Sequence, residues 1–115
     1  DAAHGGLVYG FAPVGRPADD PVQQVCDGDK YHWVQAESLA AAALLWRHSG
    51  EVAYLEAYQR LWAYAWAHFV DHRHGEWFRI LAPNNGAITD DKSPAGKVDY
   101  HNIGACLDAA TALSA

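Results

Sequence analysis

Two stretches set polar, titratable side chains among apolar neighbours. "KYHWVQAE" (30–37) ends in Glu37, one helical turn after Trp33, with Val34, Ala36 and Ala40 around it. A buried, unpaired carboxylate is costly, so such a group must find a cation, take up a proton or serve chemistry. In the first turns of a helix it could equally meet free amides and the helix dipole. "KVDYHNIGAC" (97–106) puts His101 between Tyr100 and Asn102 at an expected helix start. An imidazole there can anchor one ring nitrogen and leave the other to accept a proton near neutral pH. Its alternative is a capping or surface role near Asp99.

Other motifs carry less. "HFVDHRH" (68–74) spaces His68 and His72 four apart with Asp71 and His74 nearby, which is tolerable ligand spacing. It lacks HExxH and falls at a helix end, where histidines complement the dipole. No metal site is expected. "GGLVYG" lacks the GxGxxG spacing and no helix follows it at once, so it is not a phosphate cradle. Ser38, Ser49, Ser93 and Ser114 sit in no nucleophile elbow.

The elements that must position Glu37 and His101 are mostly helical. Apolar spacing predicts a helix over 31–48, apolar all round across 39–46 and so enclosed on most sides, with Gly50 as its left-handed stop. A second helix is expected over 52–70, with Tyr54, Leu55, Tyr58, Leu61, Trp62, Ala65, Trp66 and Phe69 on its apolar face. The two form an antiparallel hairpin. Residues 75–91 read as a β-hairpin turning at "NNG", and a last helix starts near 100. Residues 4–26 read as a short strand and a long loop. No internal sequence repeat is evident.

Composition narrows the classes of partner. A formal charge of -6 without Lys/Arg clusters argues against nucleic acid. The apolar run 39–46 is far short of the ~20 residues that span a bilayer. Cys26 and Cys106 lack CxxC spacing, so reduced thiols in the cytoplasm are expected. At 115 residues, five of them Trp, the chain has more aromatic surface than one small core requires. A helix enclosed on most sides also needs neighbours that two further helices do not provide.

"HGGLVYGF", "KYHWVQAESLAAAALL", "SGEVAYL", "LWAYAWAHFVDHRHGEWFRIL" and "KSPAGKVDYHNIGAC", in that order, resemble the N-acylglucosamine 2-epimerase superfamily, which includes cellobiose 2-epimerases and mannose isomerases. The resemblance implies a mainly all-α fold, an (α/α)6 barrel of helical hairpins with short β-hairpins in its loops. Residues 1–115 would be an incomplete, C-terminal portion of that single domain. It also implies metal-free, cofactor-free proton transfer beside a sugar carbonyl by two histidines. His101 matches one of them and Glu37 a pocket carboxylate that assists. Trp33 matches a pocket aromatic. His32, where many members have a second tryptophan, and Lys97 and Tyr100 are the further substrate-binding candidates. The other histidine, in a GHxxEW-like motif, has no match here, so the isolated chain is expected to be inactive. Gly104 stands where epimerases often have Arg, which favours mannose/fructose-type isomerisation over N-acylglucosamine epimerisation. The expected partner is a small sugar, with a homodimer of the longer protein. A different reading is a non-catalytic carbohydrate-binding or interaction module using Trp33, Trp62, Trp66 and Trp77 as platforms. A glycoside hydrolase would need two flanking carboxylates, and Glu37 alone looks placed.

Overall fold

The computed structural model describes residues 1–12 and 24–114. Among the described residues, three helices carry the fold: α1 (His32–Ser49), α2 (Val52–His68) and α3 (Tyr100–Leu113). Four short strands accompany them: β1 (Gly10–Ala12), β2 (Gln24–Asp27), β3 (Lys30–Tyr31) and β4 (Ile80–Leu81). β1 pairs antiparallel with β2, and β3 pairs antiparallel with β4 through Lys30–Leu81 and Tyr31–Ile80.

α1 is the centre, packed against both α2 and α3. Its facing positions are alanines, and small side chains let helix axes approach closely. Ala36 and Ala40 meet Tyr64, Ala65, Phe69, Trp77, Leu81 and Ala105 in one cluster. Leu39 and Ala43 meet Ala109 and Ala112 in a second, bordered by Tyr58, Leu61 and Trp62. Phe69, Leu39 and Leu81 are fully enclosed, each worth about 1.5–3 kcal/mol of burial. α1 stops where expected. Gly50 takes φ 71 and its N–H donates to the Trp46 carbonyl at 2.8 Å, so the chain reverses into α2 within two residues.

Three expectations are corrected. The run 39–46 is not enclosed all round, since Leu44 and Leu45 are 47% and 44% exposed. Partners cover α1 on two sides, and its third face is open. The β-hairpin over 75–91 shrinks to a single bridge, Leu81 with Ala87. Its turn is present, with Asn85 at φ 70 and the Gly86 N–H donating to Asn84 Oδ1. Pro83 offers no donor to extend the ladder, and Ile80–Leu81 pair with β3 instead. Finally, β2 adds a strand to the segment read as a loop. Residues 13–23 of that loop lie outside the described residues.

A structural repeat also emerges where none is evident in sequence. Asp1-Ala2-Ala3-His4-Gly5 and Asp71-His72-Arg73-His74-Gly75 fold into the same turn. Asp1 Oδ1 accepts from the N–H groups of Ala3 and His4 at 2.9 and 3.2 Å, and the Gly5 N–H donates to the Asp1 carbonyl. Asp71 Oδ1 accepts from Arg73 and His74 at 2.9 and 3.1 Å, and the Gly75 N–H donates to the Asp71 carbonyl. Each aspartate pairs with a lysine through Oδ2, Asp1 with Lys30 and Asp71 with Lys92. Both turns end in two left-handed residues: Gly5 and Gly6 (φ 74 and 70), then Gly75 and Glu76 (φ 80 and 67).

Candidate active site

α3 delivers His101 from its first turn onto the first turns of α1. His101 Nδ1 and Glu37 Oε1 stand 2.6 Å apart across a sequence separation of 64 residues. A carboxylate can only accept here, so the ring donates through Nδ1–H, which leaves Nε2 as the basic nitrogen. The imidazole is mostly covered (18% exposed) while Glu37 is half in solvent (53%). Glu37 is therefore not the buried carboxylate its apolar sequence neighbours suggest. The open face of α1 explains this.

Aromatic rings frame the pair. Tyr100 lies 4.0 Å from the His101 ring by centroids and Trp33 lies 6.1 Å away. Tyr9 stands edge-on to Trp33 at 6.1 Å and leans on Tyr31 at 4.6 Å. Tyr9 and Tyr31 were not singled out from sequence. Tyr9 lies in the glycine-bounded stretch read as a short strand and Tyr31 at the expected start of α1, and the tie between Leu7 and the Gln35 side chain holds the first segment against α1.

His32 opens α1, its N–H donating to the Arg79 carbonyl at 2.9 Å. Its ring is 3% exposed and edge-on to His101 at 6.0 Å. Neither ring nitrogen makes a hydrogen bond of good geometry among the described residues. Burial pushes its pKa down, Lys97 and His101 add to this, and the carbonyls of Val98 and Arg79 oppose it. It is a neutral imidazole behind the site.

Lys97 is tied up beneath α3, its ammonium 0% exposed and bonded to Glu76 Oε1 at 3.0 Å and Asp99 Oδ1 at 2.8 Å. Glu76 Oε1 also accepts from Asn102 Nδ2 at 2.9 Å and from the Trp77 N–H at 2.8 Å. Desolvation pushes the Glu76 carboxyl up, but the Trp77 N–H and Lys97 outweigh it and hold the group below its usual range. The structure thus brings together Glu37, His101, Trp33, Tyr100 and His32, and sets the Lys97 ammonium below them.

Elsewhere, His72 Nε2 bonds the Trp66 carbonyl, His74 sits beside Asp71 and His68 leans on Tyr64. Among the described residues, no three His, Cys, Asp or Glu side chains are grouped to hold a metal ion. Cys106 is a free thiol. No helix among the described residues is long and apolar enough to cross a membrane. An apolar cavity of about 410 Å³ between α2 and α3 includes Trp62, Trp66, Trp77 and Leu107, but neither His101 nor Glu37.

Mainly helical, with an imidazole–carboxylate pair at the junction of two packed helices, the chain aligns with enzymes of one class. The profile of the N-acylglucosamine 2-epimerase (GlcNAc 2-epimerase) family matches residues 1–105. A D-mannose isomerase of Marinomonas mediterranea is 47% identical over 114 residues, which is 99% of this chain and 27% of that protein. A cellobiose 2-epimerase of Bacteroides fragilis is 36% identical over 84 residues, 71% of this chain and 21% of that protein. Among solved structures, a D-mannose isomerase superposes with a TM-score of 0.86 at 48% identity, over 98% of this chain and 27% of that one. The cellobiose 2-epimerase of Spirochaeta thermophila gives 0.67 at 30% identity, over 75% and 22%. The chain belongs to the N-acylglucosamine 2-epimerase family, and its fold is that of a segment of the (α/α)6 barrel. It spans about a quarter of the length of these relatives.

Proposed function

We propose that this chain is part of a longer sugar isomerase or epimerase and supplies one of its two proton-transfer imidazoles, His101. The supporting observation is the 2.6 Å contact from Nδ1 to Glu37. Held by that carboxylate, the ring presents Nε2 as a base towards an open-chain aldose. Nε2 takes the C2 proton, and the electrons left behind make an enediolate with the C1 carbonyl. Protonation at C1, with the hydroxyl proton passing from O2 to O1, gives the ketose. Protonation at C2 from the opposite face gives the epimer. The second imidazole would come from a segment upstream of Asp1. Trp33 and Tyr100 offer flat apolar faces to the C–H side of the sugar, and Tyr9 extends that wall. Gly104, with no arginine at its position, leans the reading towards mannose–fructose interconversion. The longer protein is a cytoplasmic enzyme in this reading.

The test uses the full-length protein with D-mannose in deuterated water. Wild type should convert mannose to fructose and place solvent deuterium on the product. His101→Ala should lower that rate by about 10²–10⁴-fold, the usual worth of a general base, while still binding the sugar. Unchanged turnover would favour a different base, or a carbohydrate-binding module in place of the proposed catalytic part.

A further inference from the structure

The two repeated turns differ at one telling position. The first ends Gly5–Gly6, the second Gly75–Glu76, and the second residue is left-handed in both (φ 70 and 67). That backbone favours glycine and is strained for an L-residue. In the first turn glycine is also required by space, because a Cβ on Gly6 would lie 2.3 Å from Tyr64 Cε1. In the second turn the strained conformation carries a glutamate, and strain retained at one site invites a functional account.

The Glu76 carboxylate supplies that account. A single oxygen, Oε1, accepts from Lys97 Nζ, Asn102 Nδ2 and the Trp77 N–H. Lys97 in turn bonds Asp99, the capping residue of α3. The start of α3 is therefore gripped on both sides of His101, at 99 through the lysine and at 102 directly. Asn102 is 5% exposed and leaves its Oδ1 unbonded among the described residues. Burying an amide that satisfies its donor and not its acceptor is unfavourable, so the bond to Glu76 is what that side chain contributes.

We infer that Glu76 is a positioning residue for His101: its left-handed backbone aims a carboxylate that clamps Lys97 and Asn102 and so fixes the angle at which α3 presents the imidazole to Glu37. The clamp deepens the proposed function, since it matters for turnover only if His101 carries the proton. Its test is independent of turnover.

In the full-length protein labelled with ¹⁵N-histidine, long-range ¹H–¹⁵N spectra near neutral pH report each ring's tautomer. His101, assigned by its loss in His101→Ala, should show the Nδ1–H form in wild type. Glu76→Gly, which relieves the backbone but removes the clamp, should shift the His101 tautomer ratio about tenfold or more towards the mixture seen in free imidazole. His4, in the matching turn, should not move. Glu76→Gln keeps an oxygen acceptor and should retain most of the wild-type pattern. If Glu76→Gly leaves the His101 tautomer unchanged, or Glu76→Gln disturbs it as much as Glu76→Gly, the inference fails. Should Glu76→Gly lose its helical circular dichroism, Lys97→Met carries the same reading, and an unaltered His101 there refutes the clamp. Failure of His101→Ala to slow turnover would instead sink the proposed function and leave the tautomer result standing.

Discussion

His32 shows how one residue ties the site to solution pH. Its imidazole is enclosed, with the Lys97 ammonium and the His101 ring facing it and only the carbonyls of Val98 and Arg79 opposing. Its folded pKa therefore lies below the unfolded value of about 6.5. Above 6.5 the ring is neutral in both states and adds no pH dependence. As the pH falls below that, the unfolded chain binds a proton that the folded chain refuses. Stability should then drop by up to about 1.4 kcal/mol per pH unit, until the folded pKa is reached. Urea midpoints at pH 7.5 and 5.5 measure this, and His32→Phe should narrow the gap between them. An equal gap in both proteins would mean that His32 does not resist protonation. At this scale sequence was only partly informative. The apolar neighbours of Glu37 pointed to a buried carboxylate, whereas the helix face that carries it is open. The pairing of Glu37 with His101 had no local signal, because the two lie 64 residues apart and meet only through the packing of α1 on α3. A family resemblance named both residues, and the contact itself is a tertiary fact.

Among the elements, the helices were legible because each is long and periodic, and Gly50 marks a sharp end. The strands were less so: β1 falls in the segment expected to hold a short strand and β4 in the expected hairpin, but β2 and β3 had no signal. β3 and β4 are two residues each and exist because the start of α1 lies beside residues 80–81, which no short-range pattern records. The repeated turn escaped for a related reason: Asp, His and Gly recur at three positions while the residues between them differ. Those turns permit a sharp comparison. Gly6 and Gly75 are both left-handed, but a Cβ on Gly6 would collide with the Tyr64 ring at 2.3 Å, while one on Gly75 meets nothing within 4 Å. Gly75→Ala should therefore cost only the backbone term, about 1–2 kcal/mol. Gly6→Ala should cost that plus about 1–3 kcal/mol of overpacking, because Tyr64 is held by its hydroxyl bond to Asn85 and cannot readily turn away. Paired urea titrations check the order. Equal losses would show that Tyr64 moves freely.

For the whole molecule, the decisive feature is what the three helices leave open. Leu44 and Leu45 project from the uncovered face of α1, and Trp66, Ile103 and Leu107, each more than half exposed, border the cavity between α2 and α3. Scattered exposed leucines are ordinary, but apolar side chains gathered on one groove mark a surface that meets something. The relatives are about four times longer than this chain, which spans 27% of the D-mannose isomerase. If the chain acts as part of such a protein, two consequences follow together. The isolated 115-residue chain should bind the dye anilinonaphthalene sulfonate several-fold more strongly, residue for residue, than the full-length protein, because these surfaces stay wet. It should also leave mannose unchanged, since one imidazole can remove the proton but the opposite wall of the pocket, with the second proton carrier, is missing. Dye fluorescence and a fructose assay on the two proteins side by side decide the matter. An isolated chain that isomerised mannose at the full-length rate would mean that His101 and Glu37 suffice, and the second proton carrier would lose its purpose.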